Sequence, residues 1–245
     1  MLAASTFITA CGGGSSAPAG IVLDSQNATD IATSASLFAQ ASPNIVTSVE
    51  AGLPSTQEAI KVLTTLAFDH DRHSTDVVTG VIPGAACSVS GSTSFSGSSS
   101  ATTRSGTVTF NNCNEGLFVM NGSFTLNSSW TIGGGAFSNS GSGSVTMSVN
   151  SASFTLSLDY TSTGDSTTGA FVNDISFTMA ITNYGSFSVD TTTAISGNLS
   201  TGFTSGVLIV SGGSNTRLRI TYNNNLTVTI ELDSGNGQFV YHDTI

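Results

Sequence analysis

From about residue 84 onward, apolar and polar residues alternate along the chain with a period of two. The clearest alternating runs are residues 145–149, 154–160, 175–181 and 226–232. This pattern predicts antiparallel strands with one buried face and one face covered by hydroxyl groups. Turn signals at residues 121–122, 133–135, 212–213 and 235–237 separate the runs. We therefore expect about ten to twelve strands.

Residues 21–70 follow a helical period instead. A first helix is predicted at about residues 26–40, and its apolar face would consist of Ala28, Ile31, Ala32, Ala35 and Phe38. A second helix would begin after Ser42-Pro43 and end near Gly52. A capping box of Ser55 and Glu58 would open a third. Its apolar face would carry Ala59, Ile60, Leu63, Leu66 and Ala67.

These elements predict a mainly β protein of the α+β class. A sheet of this size with one apolar face cannot stay flat and uncovered. We expect a large curved antiparallel meander, half-barrel or barrel-like, with the short N-terminal helical region packed on its concave side. A two-sheet sandwich is the alternative. The predicted organisation is a signal-peptide remnant at 1–10, a lipidated cysteine and flexible tether at 11–20, a helical segment at 21–82 and a β domain at 83–245.

Composition explains what the polar face of the sheet is made of. Ser and Thr together supply 76 residues, whereas only 8% of positions are charged and the net charge is −10. The 38% hydrophobic content argues against disorder along the whole chain. Five Lys and Arg residues are too few to neutralise a run of phosphates, so we expect no nucleic-acid binding.

The N-terminus carries the most specific motif. Ile8, Thr9 and Ala10 precede Cys11, and a Gly/Ser-rich stretch follows. This resembles the lipobox of bacterial lipoproteins, which implies removal of residues 1–10, acylation of Cys11 and, with Gly12 next, sorting to the outer membrane. No Lys or Arg precedes Lys61, so we expect the true start to lie upstream. The remainder of the chain resembles only uncharacterised Ser/Thr/Gly-rich envelope proteins.

The tether and the anchor define how the protein would be attached. Residues 12–20 are expected to reach about 16 Å as a flexible linker. The sequence contains no run of eighteen apolar residues, so attachment would rest on the acyl chains rather than on a spanning helix. The predicted location is the cell envelope, lipid-anchored in the outer membrane on its periplasmic or surface-exposed face.

Three cysteines leave one pair once Cys11 is lipidated. We expect a disulfide between Cys87 and Cys113, which export permits. A hairpin with its turn near residues 99–102 would place these cysteines opposite each other. The same register would leave Val108 and Phe110 on the opposite face from Phe95, so a one-residue bulge or a strand that ends at Asn111 is expected to resolve the conflict.

Candidate chemistry is sparse. His70 and His73 lie in an Asp-rich stretch that suggests either a metal site or a solvated helix end, and we favour the helix end. Residues 233–237 resemble part of a calcium loop but lack the ligands to complete it, so a hairpin turn is expected. Arg217 and Arg219 would share the outer face and neutralise Glu231 or Asp233 on a neighbouring strand. No catalytic, cofactor or metal residues are predicted.

The leading functional hypothesis is a non-enzymatic envelope lipoprotein that presents a β-rich ligand-binding, partner-binding or structural domain. Its expected partners are the membrane, through the lipid anchor, and a protein, glycan or lipid ligand. Self-association through sheet edges is a further expectation. A transmembrane β-barrel and a hydrolase using His70 and His73 are the alternatives.

Overall fold

One α-helix and twelve strands lie in the described part of the computed structural model. The described residues are 20–41, 79–82, 87, 89–114, 119–149, 152–183, 185–198, 200–224 and 227–245. The helix is α1 (Ala28–Ala41). The strands are β1 (Thr79–Ile82), β2 (Ser90–Ser99), β3 (Thr103–Asn114), β4 (Val119–Trp130), β5 (Ala136–Val149), β6 (Ala152–Asp165), β7 (Ala170–Ile181), β8 (Gly185–Asn198), β9 (Gly202–Ser211), β10 (Arg217–Tyr222), β11 (Val228–Asp233) and β12 (Val240–Thr244).

The strands form a single antiparallel sheet in which each strand pairs with the next one in sequence, from β1 to β12. The predicted mainly β meander is confirmed. Among the described strands the sheet is open, with β1 and β12 at its edges. No helix within the described ranges is long and apolar enough to cross a membrane.

The apolar face of the sheet forms the core. Residues from β2 through β11 belong to one buried cluster, which extends from Phe95 to Ile230. This apolar side is the concave face of the curved meander, and the buried cluster extends along it over ten strands. Helix α1 packs against β9, β10 and β11. It contributes Ala28, Ala32 and Ala35, as its sequence predicts.

Glycines on the concave face make room for the aromatic rings. Phe137, Phe171 and Phe203 each lie directly opposite Gly164 or Gly197, so large and small residues alternate across β5–β9. A Cβ atom on Gly164 would lie 2.6 Å from the Phe137 ring. Alternation of large and small residues lets side chains fill the inside of a tightly curved sheet.

Two local predictions need correction. The sheet begins at Thr79, inside the segment predicted to be helical through residue 82. Residues 121–122 lie within β4 rather than in a turn, because the positive φ of Gly122, 131°, is used beside a bulge in β3 between Phe110 and Cys113. The expected bulge is confirmed: it lies between Ser90 and Ser92, and Phe95 is opposite Val108 on the buried face.

The predicted disulfide is present. Cys87 and Cys113 are bonded, with their Cα atoms 5.4 Å apart and 26 residues of separation in sequence. The hairpin turn falls at residues 100–102, where Ser100 donates its N–H to the carbonyl of Thr103. The predicted second and third helices, near residues 43–52 and 55–67, lie outside the described residues.

Candidate functional site

An unbroken row of hydroxyl side chains crosses the outer face of the sheet. The strand register aligns one Ser or Thr from each of eight consecutive strands, β2 to β9. We call this set the central hydroxyl row, and none of its members is buried. It consists of Ser94, Thr109, Ser123, Ser144, Ser157, Thr178, Ser188 and Ser211.

The rows beside it are also polar, and their side chains hydrogen-bond across the strands. Thr107 and Thr125 hydroxyls are 3.1 Å apart, and those of Thr146 and Thr155 are 3.0 Å apart. Within the central row, the Ser157 hydroxyl donates to the Ser144 Oγ at 3.1 Å. Neighbouring strands in a sheet lie about 4.8 Å apart, and same-face residues along a strand about 6.8 Å apart. The face is therefore a regular lattice of groups that both donate and accept hydrogen bonds.

Charge is almost absent from this lattice. At the outward positions of β2–β9 the described residues include no Lys or Arg. The charged side chains there are acidic, Asp159, Asp165, Asp174 and Asp190, and Asp190 accepts a 2.7 Å hydrogen bond from the Ser176 hydroxyl. Such a surface suits an uncharged, hydroxyl-rich ligand better than an anionic one.

The central hydroxyl row leads directly to a cluster of paired charges on β10 and β11. Ser211 pairs with Arg217, and Arg217 pairs with Asp233 across the next strand. Arg217 binds the Asp233 carboxylate at 2.8 Å, and Arg219 binds Glu231 through both of its carboxylate oxygens. The expected neutralisation of these acids is confirmed.

A single aromatic ring holds the two arginines in place. The guanidinium carbons of Arg217 and Arg219 lie 5.1 Å and 4.6 Å from the centre of the Phe239 ring. The π electrons give the face of an aromatic ring a partial negative charge, which attracts cations. Phe239 therefore fixes both arginines on the outer face, and sequence reasoning missed this role because the ring lies on no regular strand.

Asp233 organises the turn that follows it. Its Oδ1 accepts hydrogen bonds from the N–H groups of Gly235, Asn236 and Gly237 at 2.9–3.0 Å. The predicted hairpin turn is thus confirmed, since the carboxylate is satisfied by backbone and by Arg217. Beside this turn lies a cleft of about 410 Å³. Its wall includes Asn215, whose φ of 60° places a non-glycine residue in the left-handed region.

The ion pairs change the acidity of both carboxyl groups. The hydrogen bonds from Arg217 lower the pKa of Asp233 below its ordinary 3.8, with help from the N–H groups of Gly237 and Gly235. Arg219 likewise lowers the pKa of Glu231 below 4.5, and Glu231 raises the pKa of Arg219. A depressed carboxyl pKa contributes stability at pH values above the unfolded-state pKa.

We therefore expect this part of the stability to be lost as the pH falls below about 4 toward the folded-state pKa values. The midpoint of urea unfolding should drop less between pH 6 and pH 3 in Arg219→Gln than in the parent protein. Arg219→Lys keeps the charge and serves as the matched control. An equal drop in Arg219→Gln and the parent would show that the Arg219–Glu231 pair does not carry the acid sensitivity.

A second polar row lies on the concave face, toward the strand ends that hold Trp130. It crosses β3 to β7 in register and includes an arginine, which lies over the Phe95 ring at 4.8 Å. The Ser162 hydroxyl is fully buried and has no hydrogen-bond partner. Sequence reasoning missed this row because its members occupy positions that the alternation assigns to the core. The row consists of Arg104, Ser128, Asn139, Ser162 and Asn173.

The remaining predicted positions have simple outcomes. Cys11, His70 and His73 lie outside the described residues. His242 is described, and its ring nitrogen lies 3.4 Å from the Thr29 hydroxyl of α1. Within the described ranges, no three His, Cys, Asp or Glu side chains are grouped as a metal site.

Comparison with known proteins gives no relative for this chain. No family model, no curated protein and no solved structure matches it.

Proposed function

We propose that this protein is a non-enzymatic lipoprotein of the cell envelope, anchored in the outer membrane through Cys11, that binds a glycan on the hydroxyl face of its sheet. The observation that carries the proposal is the central hydroxyl row, with one Ser or Thr on each of eight strands.

The buried state of the opposite face supports this choice of surface. Phe95, Met120 and Val189 on the concave side are at most 1% exposed, as expected for a filled core rather than an open apolar groove. A binding domain with this sheet would therefore use its outer face. The hydroxyl lattice on that face resembles in chemistry the groups that a polysaccharide itself presents.

Glycan is the favoured ligand class for a physical reason. Sugar hydroxyls can donate to and accept from Ser and Thr hydroxyls, so each contact replaces a hydrogen bond to water. Each such bond contributes only about 0.5–1.5 kcal/mol. Useful affinity thus requires many contacts in a row, which a polymer lying across successive strands would make.

The anchoring part of the proposal is tested in cells. The protein should incorporate labelled palmitate, and a Cys11→Ser variant should not. Globomycin, which blocks the lipoprotein signal peptidase, should leave the unprocessed form in the membrane. If the parent protein takes up no palmitate and its processing ignores globomycin, the anchor is refuted.

Glycan binding is tested by co-sedimentation of the purified protein with peptidoglycan sacculi and with chitin. Thr109→Val together with Thr178→Val removes two hydroxyls of the central row while keeping side-chain shape. We expect about tenfold weaker binding, as the loss of two hydrogen bonds implies. Thr109→Ser together with Thr178→Ser keeps both hydroxyls and should bind like the parent. No sedimentation with either polymer would overturn the glycan assignment.

A further inference from the structure

The first described residues are fixed to one end of the sheet. Gly20 forms a parallel bridge with Ser186 at the start of β8, and Ile21 accepts a 2.7 Å hydrogen bond from the N–H of Gly213. The Leu23 N–H donates to the Thr216 hydroxyl at 2.9 Å, and the Leu23 side chain is buried. We call this the tether end of the sheet. It also contains the β9–β10 and β11–β12 turns.

The tether end is the part of the domain closest to any lipid on Cys11. Residues 12–20 would span about 16 Å as a flexible linker between Cys11 and the sheet. Strands β5 and β6 have 14 residues each, so the opposite end of the sheet lies up to about 44 Å farther away. A lipid on Cys11 would therefore hold the tether end near the membrane surface and leave the other end pointing away.

Apolar side chains are exposed where the chain joins this end. Val22 is 48% exposed, and Val240 and Tyr241, which begin β12, are 63% and 64% exposed. Tyrosine suits the boundary between lipid and water, because its ring is apolar and its hydroxyl is polar. The acids nearby on β11 are paired with Arg217 and Arg219. Beside Val22, Asp24 is exposed to solvent.

We propose that the tether end rests on the membrane surface, with Val22, Val240 and Tyr241 in contact with lipid. This inference rests on the proposed lipidation of Cys11. It implies that the strands of the domain stand away from the bilayer, so that the central hydroxyl row on their outer face is open to a glycan. The net charge of −10 favours a zwitterionic lipid surface over an anionic one.

The test uses tryptophan fluorescence. Trp130 is the chain's single tryptophan and ends β4, at the opposite end of the sheet from Tyr241. Because Cys87 and Cys113 are bonded to each other, protein produced without acylation keeps Cys11 as its free thiol, which can be coupled to a maleimide lipid in phosphatidylcholine vesicles. In the parent protein the fluorescence comes from Trp130. In the double variant Trp130→Phe with Tyr241→Trp it comes from position 241. Circular dichroism checks that both are folded.

Brominated phosphatidylcholine quenches tryptophan that reaches the lipid. We expect quenching to be about threefold stronger for position 241 than for position 130, since interfacial contact reaches only a few ångströms into the bilayer. Adding Val22→Ser and Val240→Ser should reduce the quenching at position 241, whereas Ile132→Ser at the opposite end should not. Equal quenching at both positions, or none at position 241, would overturn the orientation. Because the lipid is attached chemically, a failed palmitate experiment in cells leaves this result unaffected, and the two failures are distinguishable.

Discussion

Replacing both Cys87 and Cys113 by alanine should lower the free energy of unfolding by about 3.5 kcal/mol, the chain-entropy value for a loop of 26 residues. The disulfide joins Cys87, three residues before β2 begins, to Cys113 near the end of β3, and both cysteines are buried. Without the bond, the unfolded chain gains the conformations that the loop had excluded. Urea unfolding of the parent and the variant at the same pH measures the difference.

A reducing agent provides the control for this experiment. Reductant should shift the unfolding midpoint of the parent protein toward that of the double alanine variant and leave the variant unchanged. Alanine is chosen over serine because Cys113 is fully buried, and a buried hydroxyl would add its own cost. If reductant left the unfolding midpoint of the parent protein unchanged, the disulfide would be shown to contribute nothing to stability.

Gly141→Val should lower the free energy of unfolding by a comparable amount, about 3 kcal/mol. Gly141 lies on the concave face between the Phe124 and Tyr160 rings, which are parallel with centres 6.1 Å apart. A Cβ atom at this position would be 2.6 Å from an edge carbon of each ring. Both rings are buried, so neither can move aside without disturbing the core.

The neighbouring Ser142→Val variant tests whether the loss of stability in Gly141→Val comes from the position of the new valine or from valine itself. Ser142 is on the same strand but points outward and is exposed, so its replacement should change the free energy of unfolding by less than about 0.5 kcal/mol. Replacing the Phe124 ring by a smaller side chain should also make a side chain at position 141 less destabilising. Phe124→Leu combined with Gly141→Ala should be less destabilised than the sum of the single changes by about 1 kcal/mol. Additive single effects would contradict the contact between the ring and residue 141.

Alternation alone was enough to predict the central strands. Residues 145–149, 154–160 and 175–181 each lie within one strand, with their apolar members inward, because a period of two assigns every residue to a face. The ion pairs of Arg217 and Arg219 were predictable for the same reason. Two cations at alternate positions must share a face, and acids on the next strand can then meet them.

The pairing register of the strands could not be predicted from the sequence pattern. The alignment of Ser94 with residues on seven other strands depends on the length of every turn and on each bulge, which sequence pattern does not determine. Gly122 shows this ambiguity at one residue, since Asn-Gly suits both a turn and a strand position beside a bulge. The concave polar row was hidden for another reason. Asn173 and Ser162 interrupt the alternation locally, and only the pairing of β6 with β7 shows that they are neighbours.

The attachment of residues 20–23 to β8–β10 also bears on the order of folding. Every strand pairs with its sequence neighbour, so the sheet can grow hairpin by hairpin from contacts of short sequence separation. The hydrogen bond from Leu23 to Thr216 spans 193 residues. It can form only after β9 and β10 have been made and paired. Residues 20–23 are therefore expected to be among the last of the described residues to become ordered.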